Sequence, residues 1–294
     1  MGIADNGLQC LSELPRLREL DLPWMQDVDP SKNKDGYTDK GVKALVKCAS
    51  LEHLNIGGVG ITDEGIRHIA KLARLKSLNI SGSDRVTEES LKALAGLRFL
   101  EVLQISDFRL TLSGVKSFNN LVNLRTLILK DIIQDNSGLD LSGLTNLREL
   151  SLQLQERRVD KAVVPDSFQE RDIASMGKLT GLRRLQISHG GGTNAALKSL
   201  TGLKRLERLS IGGDGLTDDG LVYLAELPHL NSLTLSGHFT DEGLAHLQKV
   251  QTLGSLDFIS GANFTARSLS DFRASMPNLG LYRNFEEKQE LWNE

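Results

Sequence analysis

Two stretches of the chain, residues 206–221 (LERLSIGGDGLTDDGL) and residues 230–244 (LNSLTLSGHFTDEGL), are copies of one pattern. Each copy opens with Leu-x-x-Leu-x-(Leu/Ile) and closes with Thr-Asp-x-Gly-Leu. The opening Leu recurs from Leu17 to Leu279 at intervals of 23 to 26 residues, apart from two intervals of 34 and 35 residues. Such a period is typical of stacked arrays, in which each small unit buries its apolar side against its neighbours.

The two halves of the repeat carry different periodicities. In the first half, Leu and Ile alternate with polar residues, which predicts a strand with one apolar and one polar face. In the second half, a Thr precedes acidic residues and then apolar residues at helical spacing, as at Thr62, Thr87, Thr217 and Thr240. Thr is a good N-cap and the first turn favours negative charge, so we expect helices to begin directly after these threonines.

The pattern resembles the leucine-rich repeat family. Residues 61–66, 216–221 and 239–244 are similar to the cysteine-containing subtype of F-box proteins and of many bacterial repeat proteins. Glycines such as Gly58, Gly82, Gly213 and Gly237 lie near the place of that subtype's Asn or Cys, which makes the bacterial proteins the closer match. The resemblance implies an α/β fold, a right-handed horseshoe-shaped solenoid of about 10 or 11 repeats, with a parallel sheet on the concave face and helices on the convex face.

We expect one domain over residues 1–294. The two long intervals predict insertions near residues 23–37 and 153–172, and the charged residues near 277–294 predict a terminal cap. Residues 3–8 align with the helical half of a repeat, an arrangement expected of a chain excised from something longer. Loops of this length in compact arrays are frequently functional, although long surface loops are also cheap to accommodate.

Composition excludes several classes of function. Thirty-five Lys and Arg against 38 Asp and Glu leave a net charge of −3, so there is no basic excess to attract nucleic acid or an acidic membrane. The sequence has no run of 18 apolar residues, and charged residues such as Asp5 and Glu13 interrupt its first 20 positions, so we expect no membrane span or signal peptide in it. Two cysteines, 38 residues apart, argue against a disulfide framework and favour a reducing compartment, so we expect a cytoplasmic protein.

No motif indicates an enzyme, a cofactor or a metal site. The six histidines form no His-Glu-x-x-His pair, and Cys48 falls in the buried register of its repeat. The acidic residues of the first insertion match no register of a calcium loop. The glycine runs at 190–192 and 212–215 sit where the repeat turns and lack the Lys-Ser/Thr of a phosphate-binding loop.

The polar strand positions define the surface that we expect to bind a partner. With strands about 4.8 Å apart, ten of them span a little under 50 Å, long enough for a folded protein or an extended peptide. Arginines near one end predict a basic patch for a partner's carboxylates. Strand polarity alone would also place arginines here, and Glu149, Glu156 and Glu207 could neutralise them. The candidate partner-binding residues are Trp24, Tyr37, His53, Arg157, Arg158, Arg184, Gln186, His189 and Arg208.

These observations predict a non-enzymatic scaffold that recognises another protein through its concave strand face and rim loops. A narrower hypothesis, implied by the F-box resemblance, makes the chain the recognition part of a larger protein. The alternative is a module that binds carbohydrate or another cell-surface ligand. That alternative requires aromatic platforms on the concave face, and the outward strand positions contain none.

Overall fold

The computed structural model describes residues 5–22, 37–57, 60–82, 85–159, 162–165, 167–188 and 190–281. The chain divides into two compact units, Met1–Leu147 (unit 1) and Arg148–Glu294 (unit 2). Of the predicted features, most of the first insertion and most of the C-terminal cap lie outside the described residues.

Helices and strands alternate along unit 1. Its described helices α1 to α5 are Asp5–Leu11, Asp39–Leu45, Asp63–Ile69, Glu88–Leu91 and Leu112–Val115. Its described strands β1 to β5 are Glu19–Leu22, His53–Gly57, Ser77–Ser81, Val102–Ser106 and Thr126–Ile132. The short helices α4 and α5 continue as 3₁₀ turns, Lys92–Gly96 and Lys116–Asn120.

Unit 2 repeats this alternation, and three of its strands are longer than any described strand of unit 1. Its described strands β6 to β13 are Glu149–Leu154, Glu156–Val159, Ala162–Pro165, Arg184–Ser188, Arg208–Thr217, Ser232–Phe239, Ser255–Ala262 and Gly280–Leu281. Its described helices α6 to α10 are Glu170–Met176, Asn194–Ser199, Asp218–Leu221, Asp241–Leu247 and Ala266–Ser275. Helix α8 continues as the 3₁₀ turn Val222–Glu226.

Within each unit the repeat strands pair in parallel and in register, so equivalent leucines stack in rows. In unit 1 the row is Leu54, Leu78, Leu103 and Leu127. In unit 2 it is Leu150, Leu185, Leu209, Leu233 and Leu256. None of these leucines is more than 2% exposed, and burying each contributes about 1.5–3 kcal/mol. The predicted parallel sheet, with one buried and one polar face, is confirmed.

Helices α3, α4, α8 and α9 begin directly after Thr62, Thr87, Thr217 and Thr240, as predicted. Thr62 Oγ1 accepts a hydrogen bond from the Glu64 amide at 3.2 Å, and Thr240 Oγ1 accepts one from the Glu242 amide at 3.4 Å. Thr87 and Thr217 precede their helices without such a capping bond. The prediction was therefore right about position and only partly right about the bond that fixes it.

The Asp of the signature joins each repeat to the next. Asp218 Oδ1 accepts from the Thr240 amide at 2.9 Å, and its Oδ2 accepts from the Thr240 hydroxyl at 2.6 Å. We call this pair of bonds an inter-repeat rung. The same rung joins Asp5 to Thr38, Asp39 to Thr62, Asp63 to Thr87 and Asp241 to Thr265. Asn194 makes the equivalent pair of bonds with Thr217.

The Gly of the signature leaves room for that carboxylate. A Cβ on Gly243 would overlap Asp218 Oδ1, and a Cβ on Gly65 would overlap Asp39 Oδ1. Each residue of Thr-Asp-x-Gly therefore has a defined part in the rung. Thr donates to the carboxylate of the preceding repeat, Asp accepts from the following one, and Gly lets the preceding carboxylate pass close to the backbone.

Two segments differ from the expected repeat. Where the second insertion predicted a loop, the backbone forms an antiparallel hairpin from β7 and β8, and helix α6 begins at Glu170. Residues 133–147 follow β5 without a helix. There Asp135 accepts hydrogen bonds from the hydroxyls of Ser113 and Ser137 at 2.6 Å each. These side-chain bonds satisfy backbone and hydroxyl groups locally, as a turn does.

Removing one rung is expected to destabilise the protein without changing its fold. Asp218→Ala loses two hydrogen bonds to Thr240 and should lower the free energy of unfolding by about 1–2 kcal/mol. Asp219→Ala is the matched control, because Asp219 is exposed in the same helical turn and makes no rung. Its effect should stay within about 0.5 kcal/mol. Urea denaturation measures both, and equal losses in the two variants would show that the rung contributes nothing.

The rung at Asp241 is expected to make stability depend on acid. The Thr265 amide bond outweighs partial burial and, with the hydroxyls of Thr265 and Ser268, lowers the pKa of Asp241. A lowered folded-state pKa stabilises the fold fully above the ordinary Asp pKa of about 3.9, and this contribution disappears as the pH falls toward the folded-state value. Asp241→Asn should keep the rung, as Asn194 does, and flatten that acid dependence.

The reverse substitution, Asn194→Asp, serves as the matched variant. It places a carboxylate in the rung with Thr217 and should steepen the loss of stability below about pH 4. Urea midpoints between about pH 2.5 and pH 6 measure both slopes. Parallel curves for the wild type and both variants would contradict this account of the rung.

Candidate recognition surface

The sheet of unit 2 presents two rows of polar side chains on the face opposite its buried leucines. Because side chains alternate along a strand, residues two apart point to the same side. The strand register then aligns them across the sheet. The first row is Glu149, Arg184, Arg208, Ser232 and Ser255, and the second row is Ser151, Gln186, Ser210, Thr234 and Asp257. We call these two rows the polar face.

The arginines of the predicted patch differ in their ion pairs. Arg184 Nη1 lies 3.7 Å from Glu149 Oε2, and beside the face Arg183 Nη1 lies 3.0 Å from Glu207 Oε1. Within the part of the chain that the structure describes, no carboxylate lies within 4.0 Å of the Arg208 guanidinium. Arg208 is thus an exposed cation without a described counter-ion, in the middle of the first row.

The side chains around the arginines enclose a groove of about 240 Å³. Arg184, Gln186 and Arg208 line it together with the hydroxyls of Ser210 and Ser232. The hydroxyl groups are both donors and acceptors, and the guanidinium groups are donors only. This arginine groove therefore suits a ligand group that accepts several hydrogen bonds, such as a carboxylate.

A second, larger depression continues from the arginine groove toward the carboxyl ends of the strands. It has a volume of about 730 Å³, and Gln186 and Ser210 line both depressions. Glycines and serines form most of its wall, and Ile259, which is 56% exposed, forms an apolar edge. We call it the glycine trough; its glycines are Gly190, Gly191, Gly192, Gly212, Gly213 and Gly215.

The glycines of the trough are required by close backbone packing. A Cβ on Gly213 would overlap the backbone of Gly192 in the neighbouring repeat. Gly190 and Gly191 have φ values of 81° and 87°, a left-handed conformation that favours glycine. The prediction that residues 212–215 form a turn was wrong, because they lie within strand β10.

One carboxylate oxygen at the far end of the second row lacks a partner. Asp257 Oδ1 is buried and receives no hydrogen bond from the described residues. An unsatisfied buried acceptor is unfavourable.

The sequence-predicted candidates divide between the two units. Arg184, Gln186 and Arg208 lie together on the polar face of unit 2. In unit 1, His53 is exposed on β2, and Tyr37 is half-buried just before the N-cap of α2, where burial raises the pKa of its hydroxyl.

The remaining candidates cannot be placed in the same way. Trp24 and His189 lie outside the described residues, and Arg157 and Arg158 lie on β7, a strand described by its backbone alone. The residues that the structure groups into one surface are thus the three in unit 2.

The glycine trough and its edge residue Ile259 were not predicted from the sequence. A signal for it was present, because the alternation of inward residues continues past the repeat motif through Leu233, Leu235, Gly237 and Phe239. That continuation predicts a longer strand, and longer strands extend the face on which the trough lies. The size of the trough, by contrast, could not be predicted from one strand, because it depends on small residues at the same position in several neighbouring repeats.

Other acidic and apolar features do not form a competing site. Asp107 and Asp131 both have positive φ angles in unit 1, and burial, followed by the neighbouring charge of Asp107, raises the pKa of Asp131. Among the described residues, no group of three or more His, Cys, Asp or Glu side chains is arranged to hold a metal ion. Within the same residues, no helix is long and apolar enough to cross a membrane.

Comparisons with known proteins identify the fold and the family. The internalin InlF of Listeria monocytogenes is similar in structure, with a TM-score of 0.56, 20% sequence identity, and coverage of 93% of this chain and 75% of that chain. A leucine-rich repeat protein of Leptospira interrogans gives a TM-score of 0.43 and 13% identity, covering 96% of this chain and 95% of that chain. A search of curated proteins gives no match. Residues 36–280 match the family described as a leucine-rich repeat region, and the chain therefore belongs to the leucine-rich repeat family.

Proposed function

We propose that this chain is a non-enzymatic scaffold that recognises another protein through the polar face of unit 2. The observation that carries this proposal is Arg208, an exposed cation with no described counter-ion at the centre of the first row of the polar face. Arg is enriched at the energetic centres of protein interfaces, where it pairs with carboxylates.

The geometry of the sheet supports recognition by a prepared surface. The alternate residues Leu185, Leu209 and Leu233 are almost fully buried and fix the strands that carry the polar face. The serines and threonines of these strands have little rotamer freedom to lose when a partner binds, so ordering is required mainly of Arg184, Gln186 and Arg208. Low ordering cost is the main advantage of a pre-organised binding surface.

The charges favour a partner that offers carboxylates. The Arg208 guanidinium can donate two parallel hydrogen bonds to one carboxylate. Arg184 can leave its 3.7 Å ion pair with Glu149 for a partner's carboxylate at little cost, since exposed ion pairs contribute about 0–1 kcal/mol. The hairpin β7–β8 directly follows β6, a strand of this face, and we propose it as the rim of the surface.

The Thr-Asp-x-Gly-Leu signature supports the narrower proposal of a recognition part within a larger protein, by its similarity to the cysteine-containing repeats. Carbohydrate binding lacks such support. The described polar face of unit 2 carries no aromatic platform for a sugar ring. Tyr223, beneath the Lys198 ammonium at 5.9 Å from its ring centre, belongs to the helical side of the repeats.

Charge reversal on the polar face is expected to abolish partner binding. Arg208→Glu replaces a carboxylate-binding cation by a repelling anion and should reduce the amount of captured partner at least tenfold, because losing a hydrogen-bonded charge at an interface costs about 2–5 kcal/mol. Affinity capture from lysate of the source cells, quantified by mass spectrometry, measures the change.

Arg205→Glu is the matched control for this experiment. Arg205 is exposed in the turn ahead of β10, outside the polar face, and the substitution makes the same change in net charge. It should leave capture unchanged, and both variants should unfold at the urea midpoint of the wild type. Equal recovery of the same proteins by Arg208→Glu and the wild type would rule out this surface as the partner-binding site.

A further inference from the structure

We propose that the polar face of unit 2 binds one extended peptide segment of the partner, with an acidic residue at Arg208 and a bulky apolar residue four positions away in the glycine trough. This inference rests on the proposed function, which concerns the surface and the partner's carboxylates. It adds the extended form of the bound segment, its apolar residue and the spacing between the acidic and apolar residues.

The two depressions lie next to each other along the strands. Gln186 and Ser210 line both the arginine groove and the glycine trough. On β10 a path along both depressions runs from Arg208 past Ser210 to Gly212. Gly212 lies four residues after Arg208, which at about 3.3 Å of rise per residue is a distance of about 13 Å.

An extended peptide matches this path in both spacing and direction. Its residues advance by about the same 3.3 Å, and residues i and i+4 point to the same side of the chain. An acidic residue placed over Arg208 therefore directs the side chain four positions away into the trough. Helical residues four apart advance only about 6 Å and would not reach both depressions.

The arginine end of the path selects a carboxylate by charge. Arg208 has no described counter-ion, and Arg184 is its direct neighbour in the register between β9 and β10. The hydroxyl groups of Ser210 and Ser232 lie in the same groove and can donate to further carboxylate oxygens. Glu149 borders the groove beyond Arg184 and disfavours an acidic residue placed at that side.

The trough end selects an apolar side chain by shape. Ile259, whose side chain is 56% exposed, supplies its apolar edge, whereas Ile187 and Ile211 are only 2% exposed and face the core. Gly212 and Gly213 line the trough without side chains, so its wall there is strand backbone. A volume of about 730 Å³ accommodates a side chain as large as Phe or Trp together with the peptide backbone that carries it.

A displayed library of random linear dodecapeptides, selected on the full chain, tests this inference. Enriched peptides should share Asp or Glu at one position and Leu, Ile, Phe or Trp four positions away. A synthetic peptide of the enriched sequence should bind the wild type at least tenfold more tightly than Arg208→Glu and at least fivefold more tightly than Ile259→Asp. Calorimetry or fluorescence anisotropy measures these affinities.

Matched variants and a charge exchange keep the test specific. Arg205→Glu makes the same charge change outside the face. Val222→Asp alters a residue that is 38% exposed on the helical side. Both should leave peptide affinity unchanged. Replacing the acidic residue of the peptide by Lys should abolish binding to the wild type and restore part of the binding to Arg208→Glu.

The outcomes separate this inference from the function on which it rests. Enriched peptides without the acidic–apolar spacing, or with affinities that Arg208→Glu and Ile259→Asp do not change, would overturn the inference. So would a failure to enrich any peptide. If capture of the cellular partner still depends on Arg208 in those cases, the proposed recognition surface stands and the partner engages it in another way. If neither depends on Arg208, both proposals fail.

Discussion

Stacking of the leucine rows is the interaction on which the rest of the structure depends. A single strand and its short helix cannot bury the apolar side that they create, so each repeat covers the leucines of the neighbouring repeats. Leu209 illustrates this, because its register partners are Leu185 on one side and Leu233 on the other. The same alternation that buries Leu209 places Arg208 and Ser210 on the polar face, so the core and the recognition surface have a single origin in the sequence.

The inter-repeat rungs give the stack a polar counterpart. Leucine side chains specify that repeats adhere, whereas the bonds from Thr240 to Asp218 specify which atoms must meet. Gly243 belongs to the same device, since any side chain there would displace the carboxylate. The short helices thus obtain much of their order from the next repeat, which fits helices as short as Asp218–Leu221.

The sequence was sufficient for features that depend on local periodicity. Alternation around Leu78 predicted its strand, and Thr62 predicted the first residue of its helix. It was insufficient where the outcome depends on neighbouring repeats. The rung at Asp218 could not be predicted, because its partner atoms belong to the next repeat. The hairpin β7–β8 forms where a loop was expected, and no repeat in the sequence indicates its strand pairing. At the candidate site, Arg184 and Arg208 occupy equivalent positions, and only their neighbours distinguish a paired from an unpaired guanidinium.

Hydrogen exchange on Leu209→Ala tests the shared leucine core most directly. Loss of this buried side chain should lower the free energy of unfolding by about 2–5 kcal/mol. Amide protection should fall in β9 and β11 as well as in β10, because all three strands share the cavity. Ser210→Ala, one residue further on the polar face, should leave protection unchanged. Protection lost in β10 alone would show that the repeats hold their cores separately and would contradict this account.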